Sequence, residues 1–102
     1  MLHNKLVRDR IPEIITEQGA KPVTRTLGTD SYRQELLRKL QEEVSEFGRS
    51  SSTEELADIL EVVYALAATE GVDRSGLEKM RRKKHRERGG FDRRVFLVET
   101  QP

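Results

Sequence analysis

The sequence predicts an all-α fold organised around a helical hairpin, and three observations point to it. Two segments repeat apolar residues at helical steps: Tyr32, Leu36, Leu37, Leu40, Val44 and Phe47 in the first, and Leu56, Ile59, Leu60, Val62, Val63, Leu66 and Ala67 in the second. Between them lies Gly48-Arg-Ser-Ser-Ser-Thr53, a stretch rich in turn and cap residues that reads as the bend. Acids are mirrored about that bend, Glu43 and Glu46 before it and Glu55 and Asp58 after it. Each pair is spaced i, i+3 and so lies on one helix face.

Taken in order, residues 1–7 are mixed in character and read as extended. Ile11-Pro12 opens a short helix, because proline is tolerated in a first turn. Ile11, Ile14 and Ile15 form its apolar face, and Gly19 is a natural stop. Residues 20–28 read as a connector with some strand character. Thr29 or Asp30 can cap the first long helix, and Thr53 the second. Beyond Asp58 the second long helix is apolar over more than one stripe. A helix packed on two neighbours reads this way, here its hairpin partner and another subunit. Gly71 ends it. Asp73 or Ser75 caps a strongly basic helix expected at Gly76–Arg88, which Gly89-Gly90 breaks. Val95-Phe-Leu-Val98 is a short apolar run, read as a strand or an extended C-terminal arm.

The length fits one domain, 1–102. Hydrophobic residues make up 34% and charged residues 36%, a thin core for a monomer. A homo-oligomer, a dimer or tetramer in which hairpins build a four-helix-type bundle, is therefore expected. The absence of cysteine excludes disulfides, thiolate metal sites and a cysteine nucleophile. With no signal-peptide core and no apolar run of spanning length, a soluble, cytoplasmic protein with no membrane partner is expected. Net charge is +1, so the whole-molecule field is weak, but acids concentrate at 35–61 and bases at 79–94.

The mirrored acids are the chemically informative feature. An antiparallel hairpin brings Glu43, Glu46, Glu55 and Asp58 to one patch, where they repel unless a cation neutralises them. Hard oxygen ligands of this kind suit Mg²⁺ or Mn²⁺. The plainer reading is a charged helix surface, with Glu42 and Glu46 pairing with Arg38, Lys39 or Arg49. Asp58 favours the metal reading, because it lies among Leu56, Ala57, Ile59 and Leu60, and an unpaired carboxylate near a core seam is costly. Glu61 could be a further ligand, but a salt bridge to the preceding helix is the expected arrangement.

Groups suited to phosphate are also present. Lys84 and Arg88 are i, i+4 on the basic helix, and Gly89 and Gly90 follow, where backbone N–H groups can approach an anion. Lys5 and Arg8 add N-terminal positive charge. Acids for a metal, bases for phosphate and no Ser-His-Asp or Cys-His arrangement suggest metal-assisted attack of water on a phosphoanhydride, with one carboxylate as general base. The alternative is a non-catalytic helical module that binds nucleic acid or a protein partner through Lys79–Arg88. A single Arg-Gly-Gly element is weak support for that, and nucleic acid is the less favoured partner. His3 and His85 lack ligand partners and read as surface residues.

Four segments together carry a resemblance: Asn4-Lys-Leu-Val-Arg-Asp-Arg-Ile-Pro-Glu13, Lys39-Leu-Gln-Glu-Glu-Val-Ser-Glu46, Glu55-Leu-Ala-Asp58 and Lys84-His-Arg-Glu-Arg-Gly-Gly-Phe91. Their order over nearly the whole chain resembles the all-α NTP pyrophosphatase superfamily, which includes MazG-like proteins and phosphoribosyl-ATP pyrophosphohydrolase. The small single-domain group is the nearest in pattern. The resemblance implies Mg²⁺ held by Glu43, Glu46, Glu55 and Asp58, with Glu43 and Glu46 as the catalytic candidates. It implies cleavage between the α- and β-phosphates of a nucleoside triphosphate, giving a monophosphate and pyrophosphate. It also implies dimers or tetramers with a joint helical bundle. Standard, damaged or modified nucleotides and phosphoribosyl-ATP all remain candidate substrates.

Overall fold

A computed structural model describes all residues from Met1 to Pro102. It contains four helices and no strand: α1 (Ile11–Glu17), α2 (Thr29–Ser50), α3 (Thr53–Thr69) and α4 (Arg74–Arg88). The all-α expectation holds. The strand character expected at 20–28 is absent, and Val95–Val98 forms neither helix nor strand and is exposed.

Helix α1 opens with proline in its first turn and Glu13 beside the helix N-terminus, where negative charge is favourable. It ends before Gly19, whose φ of +90° is the left-handed conformation glycine adopts most easily. Helix α2 starts at Thr29. Gly28 is its N-cap and no side chain caps it, so neither Thr29 nor Asp30 acts as the cap; Asp30 instead lies in the first turn.

The hairpin turn is shorter than the sequence suggests. Gly48, Arg49 and Ser50 continue α2, leaving only Ser51 and Ser52 between the helices. Ser51 takes the left-handed conformation (φ +54°) and donates its N–H to the Phe47 carbonyl at 2.8 Å. Thr53 is the first helical residue of α3, and Ser52 stands at the N-cap without a side-chain hydrogen bond.

The α2–α3 seam is the main packing of the molecule. Leu36 on α2 (4% exposed) and Val62 on α3 (8%) are its only buried residues. Leu37, Val44, Leu56 and Leu60 remain substantially exposed. After Gly71, the Asp73 carboxylate accepts the Gly76 N–H at 2.7 Å and caps α4, so that helix starts at Arg74, a half-turn before the expected Gly76. Helix α4 approaches the backbone of α3 and of no other helix. Arg74 anchors its start, with the guanidinium 4.7 Å from the Tyr64 ring centroid and 3.7 Å from Glu61. Glu61 therefore pairs with the following helix, not the preceding one. Residues 79–90 are exposed throughout, and the molecule is elongated, 64 × 32 × 22 Å.

Candidate metal centre

Two antiparallel helices joined by a two-residue turn bring residues near the turn level with one another. One carboxylate oxygen from each of Glu43, Glu55 and Asp58 lies within 4.8 Å of the others. All three side chains are partly exposed. Glu46 lies outside this triad. Because α2 runs on through Ser50, the turn is centred one residue later than the expected six-residue bend. One residue rotates a helix by about 100°, so the mirror symmetry of the two acidic pairs is incomplete. Glu46 pairs with Arg49 of its own helix.

Three of the four acids have a basic partner. The Arg8 Nη2–H donates to Asp58 Oδ1 at 2.7 Å, and Lys39 Nζ stands 3.6 Å from Glu43. Glu55 has no ion-pair partner. Its carboxyl is pushed above the ordinary glutamate range, first by a hydrogen bond shared with Glu43, then by desolvation, and then by the charges of Glu43, Asp58 and Glu46. Glu46 thus still contributes to the field although it is not in the triad.

The expected phosphate-binding residues divide. Arg8 is brought onto the acidic cluster. Lys84, Arg88 and Lys5 form no ion pair and no hydrogen bond to it, and all are exposed. Gly89 ends α4 with φ +82°, donating its N–H to the His85 carbonyl at 2.8 Å. At Gly90 an added Cβ would stand 3.3 Å from the His85 ring, so close approach to His85 is what this glycine permits. His3 and His85 are exposed, as expected.

Two contacts of the cluster are not among the sequence expectations. Lys39 pairs with Glu43 at i, i+4, a readable spacing, whereas the sequence reading offers it to Glu42 and Glu46. The Arg8–Asp58 contact spans fifty residues and has no local signature.

The donor set fits a small divalent cation. Opposite ligands on octahedral Mg²⁺ stand about 4.2 Å apart, a span comparable to the 4.8 Å within which the oxygens of Glu43, Glu55 and Asp58 lie, so these residues would be the ones to hold such an ion. Carboxylates from both helices would also relieve their mutual repulsion by sharing it.

Comparison with known proteins adds little chemistry. No protein-family model matches the chain, and no solved structure matches it. Over 53 residues it is 51% identical to an uncharacterized protein of Mycolicibacterium smegmatis (strain ATCC 700084 / mc(2)155), covering 52% of this chain and 53% of that protein. The chain thus spans about half the length of the relative it matches.

Proposed function

We propose that this protein is a Mg²⁺-dependent nucleoside triphosphate pyrophosphohydrolase that cleaves the α–β phosphoanhydride to give a monophosphate and pyrophosphate. The observation that carries the reading is the convergence of Glu43, Glu55 and Asp58 from two helices, with Glu55 left without a cationic partner. The order of motifs that resembles the all-α NTP pyrophosphatases supports it.

Glu43, Glu55 and Asp58 would hold Mg²⁺, or Mn²⁺ in its place. A bound divalent ion supplies Lewis-acid polarisation of phosphate oxygens and neutralises charge as the pyrophosphate leaves. Glu46 is next to the triad but outside it, paired with Arg49 of its own helix. As a carboxylate that is not among the metal ligands, it would take the proton from the attacking water. Arg8 supplies positive charge at the same cluster. Lys84 and Arg88, exposed and without ion-pair partners, are available to the triphosphate. A homo-oligomer, dimer or tetramer, belongs to the same reading, because Leu37, Val44, Leu56 and Leu60 lie open on the hairpin. A cytoplasmic location is part of it as well.

The test is incubation with a panel of nucleoside triphosphates and phosphoribosyl-ATP, with and without Mg²⁺, assayed for pyrophosphate. Mg²⁺-dependent pyrophosphate release supports the proposal; none from any substrate at any metal concentration removes it.

A second reading rests on α4. Lys79, Lys83, Lys84, Arg86 and Arg88 have no ion-pair partner on an exposed helix, which suits a nucleic-acid backbone. Salt-sensitive binding to DNA or RNA with no hydrolysis would favour it.

A further inference from the structure

We infer that Arg8 is the resident counter-cation of the acidic cluster: a divalent metal displaces it from Asp58, and the freed guanidinium then pairs with the substrate's phosphates. This rests on the metal-dependent reading above and goes beyond it by assigning one residue two successive partners at the same site.

Four observations support the exchange. The Arg8–Asp58 bond is short, 2.7 Å, and it reaches one of the three carboxylates that converge. It is the only ion pair that joins the first ten residues to a helix of the hairpin, since Arg10 pairs locally with Glu13. The Arg8 side chain is 54% exposed, so it can leave Asp58 without breaking a packed core. The segment that carries it is lightly held: α1, which follows it, approaches the backbone of no other helix.

Charge balance supplies the reason for the exchange. Three carboxylates with only Arg8 and Lys39 beside them leave a net negative cluster. Adding a divalent ion reverses that sign, and a guanidinium is then repelled where it had been attracted. A triphosphate brought in with the metal restores negative charge, and its oxygens match the planar donor fork of an arginine. Arginine suits this role better than lysine because it stays protonated throughout and bonds carboxylate and phosphate with the same geometry.

The alternative is that Arg8 only orients Asp58, holding one oxygen while the other binds metal. The two roles give opposite signs. NMR of the Arg8 guanidinium in the full chain follows the exchange without any mutation. Titration with Mg²⁺ should move its signals to those of a solvent-exposed arginine, and a non-hydrolysable triphosphate with Mg²⁺ should move them again. Arg8→Gln should bind Mg²⁺ more tightly by a factor of about two to five, the scale of one exposed charge pair, and should raise the nucleotide KM. Arg8 signals that stay ion-paired at saturating Mg²⁺, or an Arg8→Gln protein that binds Mg²⁺ more weakly, would overturn the exchange while leaving the metal reading intact. Failure of the wild-type protein to bind Mg²⁺ at all would remove the metal reading and this one with it.

Discussion

Glu43 of α2 and Glu55 of α3 face each other across the hairpin seam with carboxylate oxygens within 4.8 Å, so a proton taken up by Glu55 relieves the repulsion of two bare carboxylates. The sign of the pH dependence follows. The Glu55 carboxyl is raised in the folded state, so the folded protein binds this proton more readily than the unfolded chain. The stabilisation is fully present below the ordinary glutamate range and is lost as pH rises through the raised value. Metal-free thermal melts between pH 4 and 8 should therefore show Glu55 adding stability at the acidic end, and Glu55→Gln should flatten that part of the profile. Identical profiles for wild type and Glu55→Gln would refute the raised Glu55 carboxyl.

Glu55→Gln should also raise the metal-free melting temperature at pH 7.5. Glu43, Glu46 and Asp58 each have a basic neighbour that offsets their repulsion, whereas Glu55 has none. Saturating Mg²⁺ should then stabilise wild type more than the variant. A lower metal-free melting temperature for Glu55→Gln would contradict this account of the cluster.

Loss of a triad carboxylate should cut pyrophosphate release by about 100-fold or more, because Mg²⁺ bound through few protein ligands depends on each of them. Glu43→Gln and Asp58→Asn should also abolish the Mg²⁺-induced thermal shift. Glu46→Gln should keep that shift while losing turnover, since Glu46 stands outside the triad and is assigned to the proton. Loss of the shift in Glu46→Gln would return it to the metal ligands.

The hairpin was legible because its two helices repeat apolar residues at regular steps and a cap-rich stretch divides them. The length of the turn was not. Glycine and three serines look like a loop, yet Gly48 to Ser50 prolong α2 because helix propagation needs only one more backbone bond per residue. That extension moved Glu46 out of the cluster. Periodicity also marks which positions are apolar but not which are covered, so Leu56 and Leu60 fit the pattern and remain exposed. Glu61 was legible as a salt-bridge residue, but its partner Arg74 was not, because the approach of α4 to α3 is a tertiary feature. Arg8 read as a phosphate ligand from composition, while its place beside Asp58 depends on a contact that no local spacing encodes.

Stability should depend heavily on very few side chains. Leu36 and Val62 are the only buried residues, and Leu36→Ala removes much of that small core, at a cost of about 2–5 kcal/mol. A chemical-denaturation midpoint should fall sharply, and urea titration measures it directly. Asp73→Ala removes the cap bond to Gly76 and should cost about 1 kcal/mol, visible as weakened helicity of α4 by amide exchange. A Leu36→Ala protein as stable as wild type would mean that the hairpin seam is not what holds the fold.

Lys84 and Arg88 distinguish catalysis from nucleic-acid binding. They occupy the far half of α4, whose backbone leaves α2 untouched, and they form no ion pair. If they stabilise the charge that develops on departing pyrophosphate, Arg88→Ala should lower kcat and kcat/KM together, because only interactions stronger in the transition state accelerate the chemical step. If they only hold the ground state, KM should rise with kcat unchanged. A nucleic-acid surface predicts a third pattern: nucleotide kinetics unaltered, and DNA or RNA affinity reduced with a shallower salt dependence, as one phosphate contact is lost. Steady-state kinetics and a salt titration of binding on the same Arg88→Ala protein separate the three. Because the side chain is exposed and unpaired, its removal should leave the fold undisturbed, so a change in either property reports on contact with a ligand. Unchanged kinetics with Mg²⁺ and nucleotide would exclude Arg88 from the triphosphate site.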